Sequence, residues 1–179
     1  NADRRFPAAE FPFVPDLKVP TGRWTSYSMT VARRLARNFG RDTALRGVDI
    51  AFASDLPPAS GMSSSSAVIV ASYFAIAEPN GLLEIPTHQA NLRSPEETAL
   101  YLACNENGRS FRDLAGDRGV GTFGGSEDHT AMLCCQPGRL AVYSFCPTCF
   151  ERDVPFPDDL VFVICHSGVF AEKTRRAQG

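Results

Sequence analysis

Leu56-Pro57-Pro58-Ala59-Ser60-Gly61-Met62-Ser63-Ser64-Ser65-Ser66-Ala67 is a Pro-, Gly- and Ser-rich run between two apolar stretches. Upstream, Val48, Ile50 and Phe52 alternate with Asp49, Ala51 and Ala53, the period of a strand. Downstream, Ala67 to Ala77 is a long apolar segment that reads as a helix. The predicted order is therefore strand, turn, helix. A turn of this kind stacks free backbone N–H groups at the positive end of the helix dipole. A phosphate binds there without any basic side chain. Four consecutive hydroxyls add donors for phosphate oxygens and one oxygen ligand for Mg²⁺. The same serines also suit an ordinary helix N-cap in a flexible loop. From this run alone both readings stand.

Several familiar phosphate and nucleophile loops are excluded. No G-K-[ST] follows the turn, and no G-x-G-x-x-G occurs. Gly61 is not echoed beyond the serines, so the run is not a G-x-S-x-G elbow.

Composition bounds the rest. A chain of 179 residues with 44% hydrophobic residues buries a real core and makes one domain or slightly more. The net charge is −2 and no Lys/Arg stripe occurs, which argues against nucleic acid or an anionic membrane surface as a partner. No apolar stretch reaches transmembrane length and no signal peptide is apparent, so a cytoplasmic protein is expected. The first residue is Asn rather than Met, and a further N-terminal part is expected. Among the six cysteines, Cys146-Pro-Thr-Cys149 has the spacing of a redox pair or half a zinc site. No second pair stands at finger-like spacing, and reduced, buried cysteines are the plainer expectation.

Along the chain, the Pro/Phe-rich opening to Pro20 reads as an extended connector. Thr21 or Thr25 is expected to cap a helix running to about Asn38 and ended by Gly40. Trp24, Tyr27, Val31 and Leu35 form its buried face, with Arg33, Arg34 and Arg37 mostly off it. Pro79-Asn80-Gly81 is a turn. Ser94-Pro95-Glu96-Glu97 starts a helix to about Asn107, with Ser at N-cap, Pro at N1 and Glu at N3. Six glycines between Gly108 and Gly125 predict a loop, and Glu127 to Cys135 a helix. Strands are expected at Leu140 to Phe145 and Leu160 to Cys165, joined by a Pro-rich connection, then a basic helix from about Val169. Helices and strands do not alternate as regular βαβ units, which favours an α+β two-layer sandwich.

Gly124-Gly125-Ser126-Glu127-Asp128-His129 is the second candidate site. Paired glycines admit close backbone approach, and an acid opening the next helix can face a cleft. Asp128 has the chemistry to accept a hydroxyl proton during phosphoryl transfer. Glu127 and Asp128 equally complement a helix N-terminus.

Together these segments resemble the GHMP small-molecule kinases, especially the galactokinase branch. Pro57 through Ser65 follows that family's P-x-x-x-G-[LM]-[SG]-S-[SA] loop in order. The resemblance implies that Pro57, Ala59, Ser60, Gly61, Met62, Ser63, Ser64 and Ser65 cradle the phosphates of ATP. It implies Asp128 as the base and Gly125 against a sugar, by likeness to G-I-M-D-Q. Glu106, late in the preceding helix, and Ser65 would hold Mg²⁺. Trp24 and Tyr27 resemble the W-x-x-Y pair beside adenine, although plain core packing explains them equally well.

Departures accompany the likeness. An inserted loop carrying Arg109, Arg112, Asp117 and Arg118 separates Glu106 from Asp128; His129 replaces the usual Gln, and Glu127 adds a second carboxylate. The family's early G-R-x-N-[LI]-[IL]-G-E-H-x-D-Y segment does not occur, nor does its late glycine-rich segment. The expected organisation is an N-terminal GHMP domain over 1–158 and the start of a C-terminal lobe over 159–179. The expected reaction is ATP-dependent phosphorylation of a sugar hydroxyl. A sensor that binds nucleotide and sugar without turnover would keep the phosphate loop and lose the base. A zinc-clipped interaction domain on Cys146 and Cys149 is the third reading.

Overall fold

A computed structural model describes residues 8–56, 61–122, 124–165 and 168. Its helices are α1 (Thr25–Phe39), α2 (Ser64–Ala77), α3 (Pro86–Asn91), α4 (Pro95–Asn107) and α5 (Glu127–Cys134). A single 3-10 turn, Leu82–Glu84, precedes α3. Strands β1 (Arg139–Ser144) and β2 (Cys149–Pro155) follow and pair antiparallel. Helices and a separate antiparallel hairpin make the described chain α+β. No described helix is long and apolar enough to cross a membrane.

The expected apolar steps build α1, but its ends differ from expectation. Neither Thr21 nor Thr25 caps it: Trp24 is the N-cap and makes no side-chain cap bond. The entry is held instead by Ser26, whose Oγ donates to the Pro20 carbonyl at 2.6 Å. At the other end the Gly40 N–H reaches the Ala36 carbonyl at 3.0 Å with Gly40 still in right-handed helical geometry, φ −65°, so no left-handed glycine cap is made.

The core gathers Val31, Leu35 and Phe39 of α1, Ile69, Tyr73 and Ile76 of α2, and Tyr101 and Leu102 of α4. Leu82, Leu92 and Leu114 close it from the connections. Each such side chain contributes about 1.5–3 kcal/mol on burial. The α1 helix packs chiefly on α2, and α4 on α5. This arrangement brings the starts of α2 and α5 together at the end of α4, where Ser66 and His129 both approach Glu106.

Arg33 and Arg34 depart from their expected exposure, being 7% and 0% accessible. A buried guanidinium needs a counter-charge and acceptors. Asp117, 84 residues further along, supplies the charge: Arg33 Nε donates to its Oδ2 at 2.6 Å, and Arg34 Nη1 lies 3.8 Å from Oδ1. Arg33 also donates to the Gly119 carbonyl, while Arg34 donates to that of Arg109 and lies over the Tyr101 ring. The 108–122 loop is thus stapled onto α1.

That loop packs main chain against main chain. A Cβ on Gly108 would meet the Asp117 carbonyl oxygen at 2.7 Å, and one on Gly116 the Gly108 oxygen at 2.5 Å. One on Gly119 would meet the Gly108 nitrogen at 2.5 Å. The Asp117 N–H and Val120 N–H bond to the Gly108 and Glu106 carbonyls, both at 2.9 Å.

The two expected strands at 48–53 and 160–165 are not formed. A strand requires a neighbour to take its N–H and C=O groups, and no described segment runs beside either. Val48 and Ile50 still pack on the core, so the alternation survives in the side chains alone. Val161, Phe162, Val163 and Ile164 instead stand 68–81% exposed. Conversely β2 appears where a mere connection was expected. Its Glu-Arg-Asp centre hides a strand whose residues are almost all exposed. Arg152 pairs with Val142 and Phe150 with Tyr143, leaving Glu151 as a bulge. The basic helix expected from Val169 lies outside the described residues.

Candidate functional site

The first part of the site is the entry to α2. Ser63, the N-cap, has left-handed φ 51° and ψ 37°, and its side chain makes no cap bond. The ordinary serine cap is therefore not used at this helix. Gly61 has φ +79° with open space around the position of a Cβ. Pro57, Ala59 and Ser60 lie outside the described residues. Gly61, Met62 and Ser63 line a cleft of about 350 Å³ together with Asp128, Ala131 and Met132. Gly61 to Ser63 and Asp128 thus share one cleft, though 67 residues separate Gly61 from Asp128.

The second part is the end of α4. Glu106 Oε2 accepts from Ser66 Oγ at 3.1 Å, and Oε1 from Thr122 Oγ1 at 3.4 Å. Burial pushes this carboxyl above the usual range, opposed by hydrogen bonding from Ser66, Thr122 and Ser65; the charge of Asp128 pushes it the same way as burial. Ser65 itself is half-buried one residue earlier. His129 Nε2 lies 3.4 Å from Glu106 Oε2. Burial drives the imidazole down to about 4, so it is neutral at pH 7 and this approach is no ion pair. Neither of its ring nitrogens makes a hydrogen bond within the protein.

The third part is the start of α5. Glu127 and Asp128 occupy its first turn, where the helix dipole favours negative charge. Both are exposed, and Asp128, Ala131 and Met132 fall on one face at helical spacing. Gly125 is exposed with nothing near the position of a Cβ, so the protein leaves its surroundings open. The preceding Ser126 is buried, and its Oγ shares a 2.9 Å hydrogen bond with Thr148 Oγ1 in the hairpin turn.

The remaining expected residues lie beside this centre. Trp24 meets Phe52 edge-on, with ring centroids 6.0 Å apart. Tyr27 is partly buried on the core, and its hydroxyl is pushed up, first by burial and then by the charge of Glu106. Cys146 and Cys149 are exposed and unpaired in the hairpin. Among the described residues no group of three His, Cys, Asp or Glu could hold a metal ion, so the zinc clip gains no further ligand. The sequence reading missed Ser66 and Thr122 as partners of Glu106. Ser66 lay in plain view as the fourth serine of the run; Thr122 carried no local signal.

Comparison with known proteins follows the same line. Residues 26–94 match the GHMP kinases N terminal domain. Over these stretches the chain resembles a galactokinase-like GHMP kinase segment. The chain is similar to galactokinases of Chloroflexus aggregans, at 33% identity, and Chloroflexus aurantiacus, at 32%, each over 82% of this chain and 32% of the relative. It is 24% identical to the galactokinase of Dictyostelium discoideum over 80% of this chain and 25% of that protein. The chain therefore spans a quarter to a third of the length of these relatives. No solved structure matches it. The GHMP match takes in α1, α2 and the first cap of α4, while Glu106 and Asp128 lie beyond it, within the longer galactokinase-like stretch.

Proposed function

We propose that the full-length protein phosphorylates a sugar hydroxyl at the expense of ATP, as a galactokinase-like kinase. The observation that carries this reading is the single cleft lined by Gly61, Met62, Ser63 and Asp128. In it the residues from Pro57 to Ser65 cradle the phosphates, with Trp24 and Tyr27 on the adenine side and Gly125 against the sugar. Asp128 accepts the hydroxyl proton. The sugar oxygen bonds to the γ-phosphorus as the bond to the β,γ-bridging oxygen breaks, and ADP leaves.

The donor set fits Mg²⁺. Glu106 offers a carboxylate already surrounded by hard oxygens, from Ser65, Ser66 and Thr122, and Mg²⁺ takes one or two carboxylates with water and phosphate completing its shell. Ser65 and Glu106 would hold the ion, which neutralises charge on the transferred phosphate. The helical layer is the cover of a two-layer sandwich over 1–158 in this reading, with a second lobe starting at 159.

The test is a coupled ADP-release assay of the full-length protein with ATP, Mg²⁺ and a panel of hexoses including galactose. Sugar-dependent ADP release with a 1:1 phosphosugar product is expected. ATP binding with no phosphosugar from any acceptor would favour the sensor reading instead.

A further inference from the structure

Glu106 and Asn107 are consecutive at the end of α4, yet their side chains leave in different directions. Glu106 turns to Ser66, Thr122 and His129. Asn107 instead grips a single residue: its Nδ2 donates to the Gly124 carbonyl at 2.7 Å, and its Oδ1 accepts the Gly124 N–H at 2.9 Å. A side-chain amide that satisfies both main-chain groups of one residue imitates one rung of an antiparallel ladder. It fixes that residue in position and orientation together, which a single bond does not.

Among the described residues no other hydrogen bond holds Gly124. It is exposed, and no heavy atom stands near where its Cβ would be. The loop before it is held at Asp117 by the buried Arg33 and Arg34 and at Val120 by the Glu106 carbonyl. Beyond Gly124 the chain enters α5 through Gly125 and Ser126. The clamp on Gly124 and the buried Ser126, hydrogen-bonded to Thr148, are the two fixed points before Asp128, four residues on from Gly124.

We infer that Asn107 is a positioning residue for Gly125 and Asp128, which ties the acid-bearing start of α5 to the helix end that carries Glu106. Asn107 touches neither the cleft nor the reacting atoms; it sets the distance between two groups that do. Misplacement by about 1 Å costs on the order of 10²-fold in rate, so even a solvent-facing pair of amide bonds at this joint has large leverage. The inference rests on the kinase reading for its effect on rate, and on geometry alone for the clamp.

The test pairs Asn107→Ala with Asp128→Asn in the full-length protein, reading steady-state kinetics and hydrogen exchange at the Gly124 amide. For Asn107→Ala, Gly124 exchange rises about tenfold or more. The kcat falls about tenfold or more, while KM for ATP stays within about twofold. Should the Ala variant not fold, Asn107→Asp keeps the acceptor for the Gly124 N–H but loses the donor; protected exchange with a lowered kcat is then expected. Unchanged Gly124 exchange in Asn107→Ala, or faster exchange with normal kcat, overturns the inference. Loss of kcat in Asp128→Asn alone would leave the base standing and the clamp refuted; loss in Asn107→Ala with normal kcat in Asp128→Asn would mean that Asn107 does not act through Asp128, which also overturns the inference. If no acceptor is phosphorylated, the kinase reading falls, and Gly124 exchange alone decides the clamp.

Discussion

Ser66 Oγ lies 3.1 Å from Glu106 Oε2 and joins the first turn of α2 to the last turn of α4 across 40 residues of sequence. The hydroxyl belongs to the serine run, and the carboxyl sits beside the loop that leads to Asp128. One hydrogen bond thus couples the helix that the serine run opens to the element next to the acid.

Asp128→Asn keeps size and most hydrogen bonding but cannot take a proton. In the full-length protein kcat should fall about 10²-fold or more, with ATP affinity nearly unchanged. Steady-state kinetics and an ATP titration check this. A near-normal kcat would pass the role to Glu127, and Glu127→Gln would decide between them.

Glu106→Gln should raise the half-saturating Mg²⁺ concentration for phosphoryl transfer by about tenfold or more, since a hard anionic ligand is lost. Because the carboxyl is already pushed up by burial, a neutral amide does not strain the fold, and Tm at pH 7 should not drop. An unchanged Mg²⁺ titration would remove Glu106 from the site.

In Gly61→Val the added Cβ meets no atom of the described residues. Its cost arises from φ +79°, on the order of 1–3 kcal/mol for a branched residue, and from a side chain placed in the cleft shared with Asp128. ATP affinity should fall by more than about threefold, measured by calorimetry; a smaller change would show that this loop is no phosphate cradle.

Asp117→Asn leaves the Arg33 and Arg34 guanidiniums buried without their counter-charge. Breaking a buried pair in this way costs about 3–5 kcal/mol, or a Tm loss on the order of 10 °C. Thermal unfolding of the variant reads it directly. A loss within about 2 °C would mean that water or another carboxylate already serves these arginines.

His88 is buried, and its Nε2 shares a 2.6 Å hydrogen bond with Tyr73 Oη. Burial lowers its pKa below 6.5, with Glu84 opposing. The unfolded chain then binds the proton more readily, so stability is full above about pH 6.5 and declines as pH falls below it. His129 acts in the same direction. Denaturant midpoints between pH 7.5 and 5 should fall, and the slope should flatten in His88→Gln.

What the sequence made legible was local. The Ser94 cap is formed as read, its Oγ accepting from the Glu97 N–H at 3.3 Å, while Glu97 Oε2 takes the Arg93 N–H at 2.6 Å. Such signals need only four residues. The 48–53 and 160–165 strands failed because a ladder partner cannot be read from alternation within one segment. Arg33 and Arg34 were misjudged because the carboxylate that lets them be buried sits in a distant, glycine-rich loop. Glu106 was found through resemblance alone, whereas Asp128 was singled out by the paired glycines before it and the resemblance added weight to its role. The hydroxyl seen bonding Glu106 came from Ser66, one step along the run from the Ser65 assigned to the metal, because a helix start turns successive residues about 100° apart.

The close backbone packing at Gly108, Gly116 and Gly119 has a consequence for how this protein tolerates change. Elsewhere a damaging substitution can be rescued by a smaller neighbour. Here the neighbour is the peptide chain itself, the same in every sequence, and no second mutation can trim it. A saturation library should therefore lose nearly every variant at these three codons, with no suppressors recoverable, while Gly121 and Gly138, which have open space, lose fewer. The arch is packed through atoms that genetics cannot vary, even where side chains staple it to α1, so its shape is the part of this protein least free to drift.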